Sequence, residues 1–179
     1  MHFLFLHSTG GNPNETWFPW LANELQIRKH SVIAPRFPTP EGQNLENWLA
    51  VMQPYWKVFD SELVLIGRSI GAPFALRLLE KSPVKIKAAF LVCGFASDLG
   101  LPEFSPLINS FISAPFNWQK IRANCGKFFI YNSDDDPYIP LEKGEEIARN
   151  VGSKMRVFPN RGHFWDEEFP ELLKDIETL

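Results

Sequence analysis

The sequence predicts a three-layer α/β fold, a parallel sheet with helices on both faces. Three observations carry that reading. Six short apolar runs read as buried strands, and several lack the polar alternation of half-exposed ones, as expected where both faces are covered. Segments of helical periodicity alternate with them, which builds a doubly wound sheet with right-handed crossovers. At the third run, the strand passes straight into a helix through Gly67-Arg68-Ser69-Ile70-Gly71.

Strands are expected over His2–Leu6, Ser31–Ala34, Glu62–Ile66, Ala88–Val92, Lys127–Tyr131 and Met155–Phe158. The first helix runs from Thr16 to Arg28, with Trp17, Trp20, Leu21 and Leu25 on one stripe. A second spans Leu45 to Phe59, carrying Leu45, Trp48, Leu49, Met52 and Trp56 inward, and Pro54 kinks or divides it. A third covers Ile70 to Lys81, where Pro73 is tolerated because it lies near the first turn. Helices over Leu141–Asn150 and Glu167–Leu179 complete the set, and Asp166-Glu167-Glu168 suits the N-terminus of the last. Gly94 to Cys125 breaks the pattern, with Pro102, Pro106 and Pro115 among short apolar pieces. It reads as a loop with one or two short helices after the fourth strand. Loops after strand C-termini bind ligands in such folds, so this excursion is either a substrate wall or a plain crossover.

At 179 residues, the chain is read as a single domain, 1–179. Lys and Arg total 18 against 21 Asp and Glu, with no charge block, which argues against nucleic acid as a partner. Cys93 and Cys125 form no C-x-x-C, and His2, His7, His30 and His163 have no metal-ligand spacing. Phe3 to Leu6 is too short for a secretory h-region, and Ala88 to Ala96 falls far below a membrane span. A cytoplasmic protein is expected.

A strand, a G-x-S-x-G turn and a helix together are the pattern of a nucleophile elbow, in which a serine stands on a tight bend above the sheet. Serine needs a base to take its proton and a third group to hold that base. Both follow Ser69 at the same strand edge. Asn132-Ser133-Asp134-Asp135-Asp136-Pro137-Tyr138-Ile139-Pro140 comes after the fifth strand, and Pro159-Asn160-Arg161-Gly162-His163 after the sixth. Each has a plainer reading: Ser69 as a helix N-cap, His163 as a loop histidine, and the aspartates as turn and capping residues. Three adjacent carboxylates also suit Mg²⁺, but no second acidic cluster supports a site. Trp17, Phe18 and Trp20 read as helix core.

Asp136-Pro137-Tyr138-Ile139-Pro140 resembles the D-x-x-[VI]-P turn that carries the acid of α/β-hydrolases, and Gly162-His163 the pair that carries their base. His7-Ser8-Thr9-Gly10-Gly11, followed by Thr16-Trp17-Phe18-Pro19-Trp20-Leu21, is similar to the small, lidless serine hydrolases related to YdeN and retinoblastoma-binding protein nine. That resemblance spans Phe3 to the last helix. It implies a six-stranded sheet in order 2-1-3-4-5-6, a Ser-His-Asp triad, an acyl-enzyme and no cofactor, with a small acyl ester, thioester or amide as substrate. Ser69 would then be the nucleophile, His163 the base and Asp136 its orienting acid, with Asp135 as the alternative. The backbone N–H groups of Thr9 and Ile70 would form the oxyanion hole. Ser8 stands where the family often has glycine, and Arg68 where histidine or another residue commonly precedes the serine. Arg68 either favours anionic substrates or, the preferred reading, pairs with a neighbouring acid. Two other functions stay open: a catalytically silent interaction module of the same fold, and a flavodoxin-like protein holding a flavin phosphate on the loop after the first strand.

Overall fold

The computed structural model describes residues 1–179. Its strands are β1 (His2–Leu6), β2 (Ser31–Ile33), β3 (Leu63–Arg68), β4 (Ile86–Val92), β5 (Cys125–Ser133) and β6 (Met155–Phe158). They form one sheet in order β2-β1-β3-β4-β5-β6, every pair parallel, as the resemblance implies. Helices α1 (Phe18–Ile27), α2 (Leu45–Met52), α3 (Gly71–Lys81), α4 (Ser105–Ile112), α5 (Trp118–Ala123), α6 (Leu141–Val151) and α7 (Pro170–Ile176) fill the connections. All six residues of β3 are buried, because both faces of this central strand are covered. No helix is long and apolar enough to cross a membrane.

Several boundaries differ from the sequence reading. β3 runs on through Gly67 and Arg68, which pair with Leu91 and Val92 of β4. β5 extends at both ends, taking in polar Asn132 and Ser133. The segment from Leu45 to Phe59 divides at Pro54: α2 ends at Met52 and a 3-10 helix covers Gln53–Val58. Proline cannot donate the hydrogen bond that would continue the α-helix. The last helix is shorter than expected. Asp166, Glu167 and Glu168 lie outside it, and Pro170 opens it with Glu171 in its first turn. Asp166 instead pairs with Arg161 at 2.9 Å.

Two helices, α4 and α5, interrupt the excursion from Gly94 to Cys125. Trp17 and Phe18 are fully buried and Trp20 packs against the core, so these aromatics are structural. The connections leaving β1 and β3 diverge, one toward β2 and the other toward β4. In open α/β sheets, that switch point opens a crevice beyond the strand C-termini.

Candidate active site

Ser69 follows β3 directly and holds φ at 54°, a left-handed conformation rarely adopted by non-glycine residues. Its N–H donates to the Val92 carbonyl, and its own carbonyl accepts from the Ala72 N–H, each at 2.9 Å. These bonds hold a bend that costs roughly 1–3 kcal/mol by itself. The flanking glycines are sterically required. A Cβ on Gly67 would fall on the Gly71 carbonyl, and one on Gly71 on the Leu6 carbonyl.

The three aspartates after β5 separate cleanly. Asp134 accepts from the Asn160 N–H at 2.9 Å, and Asp135 from the Ser133 hydroxyl and the Gly162 N–H, both at 2.7 Å. Asp136 alone reaches His163, its carboxylate oxygens 2.8 and 3.0 Å from Nδ1. The backbone N–H groups of Tyr138 and Ile139 also donate to Asp136 Oδ1. A carboxylate only accepts, so it fixes a proton on Nδ1 and turns Nε2 away from itself.

Nε2 faces a group that sequence reasoning did not place here. Cys93, just after β4 with φ 42°, puts its sulfur 3.9 Å from Nε2. Burial alone would lower the pKa of His163. The Cys93 sulfur and the Asp136 carboxylate outweigh it and push the group up to about 9. Ser69 Oγ is not within hydrogen-bond distance of this ring; the two side chains meet instead across a shared cavity. Cys93, Asp136 and His163 could in principle ligate an ion, their ligand atoms lying within 4.8 Å. Asp136 and Cys93 approach opposite nitrogens of one imidazole, however. This is the arrangement of an oriented base rather than a chelate.

The loop after β1 closes the other side. His7 Nε2 accepts from the Phe37 N–H at 2.9 Å, which leaves Nδ1 to donate to the Ser8 carbonyl at 3.0 Å. Burial holds this histidine below its ordinary pKa, consistent with the neutral form that both bonds require. The Thr9 and Ile70 N–H groups have no acceptor within the protein. Glu15, not singled out in the sequence, turns its carboxylate back onto Ser8, and Arg68 pairs with it at 3.4 Å. Arg68 therefore has an acidic partner, as its preferred reading holds. A carboxylate in this loop also opposes the flavin-phosphate alternative.

The cavity measures about 230 Å³. Phe95, Leu99, Phe104 and Ile108 of the excursion line it together with Tyr138 and Trp165, and Ser69, Thr9 and His163 also border it. The excursion is thus a wall of the pocket.

This fold, with its strand-turn-helix serine, is that of an α/β-hydrolase. The chain belongs to the serine hydrolase family, whose model matches residues 3–172. It is 32% identical to the serine hydrolase RBBP9 of Rattus norvegicus over 164 residues, covering 91% of this chain and 86% of that one. YdeN of Bacillus subtilis is 26% identical, with 91% and 85% covered. The YdeN crystal structure superposes with a TM-score of 0.92 at 23% identity, covering 99% and 97% of the two chains. Est1E of Butyrivibrio proteoclasticus, solved with ferulic acid bound, follows at 0.76 and 14%, with 99% and 86% covered.

Proposed function

We propose that this chain is a carboxylesterase-type serine hydrolase for small acyl esters, using Ser69, His163 and Asp136 as its triad. The observation that carries this is the two-oxygen contact of Asp136 on His163 Nδ1, beside a cavity that Ser69 enters from a strained turn. In the first half-reaction, Ser69 Oγ passes its proton to His163 Nε2 and bonds to the acyl carbon. The carbonyl electrons move onto oxygen, stabilised by the Thr9 and Ile70 N–H groups. Collapse expels the alcohol, which takes the proton from Nε2 and leaves an acyl-serine. Water then loses a proton to Nε2, attacks the same carbon and releases the acid as Ser69 recovers its proton.

The cavity supports the substrate class. Its 230 Å³ falls below the usual range for drug-sized ligands. Its wall of phenylalanine, leucine and isoleucine favours a short or aromatic acyl group over a charged one. Thioesters and amides share the mechanism, but esters have the better leaving group.

Chromogenic acyl esters of increasing chain length test this reading. Ser69→Ala should cut kcat by several orders of magnitude and abolish fluorophosphonate labelling. Equal labelling of wild type and Ser69→Ala would refute it.

A further inference from the structure

Arg68 and Glu15 form a buried ion pair, their side chains 4% and 8% exposed, that no step of the proposed reaction uses. Both ends touch the machinery. Glu15 accepts from the Ser8 N–H at 2.9 Å and from the Ser8 hydroxyl at 2.5 Å, so it grips the residue just before Thr9. Arg68, the residue before Ser69, donates to Ser8 Oγ at 2.9 Å and to the His163 carbonyl at 2.8 Å. One guanidinium therefore links the oxyanion loop, the nucleophile strand and the loop of the base.

Stability alone does not account for such a pair. Burying two charges costs several kcal/mol per ion, and apolar replacements of similar volume are often as stable or more so. Here the pairing is also incomplete, since Arg68 Nε is buried with no partner. The loop is shaped around the acid as well. A Cβ on Gly11 would fall on Glu15 Oε2, so this glycine keeps room for the carboxylate.

We propose that Arg68 and Glu15 are positioning residues, a clasp that sets the Thr9 N–H and the His163 ring in register with Ser69. The proposal rests on Ser69 being the nucleophile and the Thr9 N–H an oxyanion donor. Loss of the clasp should act on the transition state more than on the bound ester, because oxyanion donors tighten as charge develops.

The test is the double variant Glu15→Gln/Arg68→Met, which removes both charges and leaves neither buried alone. Its Tm should equal or exceed that of wild type. Its kcat should fall on the order of 10²-fold, the cost of losing one oxyanion donor, with KM within about twofold. Arg68→Lys keeps a charge but cannot reach both acceptors with a planar fork, so its kcat should lie between the two. Gly11→Ala, whose Cβ displaces the Glu15 carboxylate, should lower kcat in the same way without removing either charge. Wild-type kcat in the double variant, with turnover still dependent on Ser69, overturns the clasp alone. Wild-type turnover in Ser69→Ala sinks the hydrolase reading, and the clasp with it.

Discussion

At the scale of single residues, the two histidines of the site carry opposite electrostatics. His163 is raised from 6.5 to about 9, so the fold favours its protonated form. Its contribution to stability is full below about pH 6.5 and is lost as pH rises through about 9. The proposed mechanism needs the reverse, because Nε2 must be free to accept the Ser69 proton. We therefore expect kcat/KM to climb about tenfold per pH unit through the neutral range and level off near pH 9. Cys93→Ala should move that inflection downward, and superimposable pH–rate profiles would show that the sulfur does not hold the proton. His7 is lowered from 6.5, so its contribution is present above that value and fades as pH falls below it. Its Tm signature is a decline below pH 6.5 that His7→Asn flattens. Ser69, Asp136 and His163 were legible in the sequence because their turns have local signatures. Glu15 and Cys93 were not, since Glu15 meets Arg68, and Cys93 meets His163, only after the sheet has brought distant segments together.

At the scale of elements, strand cores were legible from apolar runs, but their ends were not. Gly67, Arg68, Asn132 and Ser133 are strand because neighbouring backbones pair with them, and hydropathy does not encode that pairing. In the same way, Pro170 outweighed the acidic run before it in setting the start of α7. The excursion, read in the sequence as either a substrate wall or a plain crossover, supplies Phe95, Leu99, Phe104 and Ile108 to the lining of the cavity. Phe104, at the N-terminus of α4, packs edge to face on Tyr138 with ring centroids 5.6 Å apart, and both line the cavity. Phe104→Ala should enlarge the pocket and shift the preferred ester toward longer acyl chains, read as the ratio of kcat/KM for hexanoyl and acetyl esters. An unchanged ratio would remove Phe104 from the acyl wall.

At the scale of the whole molecule, the sheet gathers its reactive groups from unequal supports. Ser69 leaves a central strand, whereas His163 follows β6, a four-residue edge strand paired only with β5. Beyond it, α7 is tied to the sheet by Tyr131 Oη donating to Asp175 at 2.7 Å and by Arg156 at 3.2 Å from the same oxygen. Edge elements with few anchors open locally before the global transition. Activity should therefore be lost at lower urea than far-UV circular dichroism, and Tyr131→Phe should widen the gap. Coincident transitions would show that β6 and α7 unfold only with the whole.

The order of the site along the chain also bears on its biogenesis. Ser69 and the loop after β1 precede β4, β5 and β6 along the chain, while His163 follows β6. On the proposed mechanism, a chain folded only as far as β5 holds Ser69 with no base to activate it. Turnover by the proposed triad therefore requires β6 to be docked on β5, so activity reports that this edge of the sheet is in place.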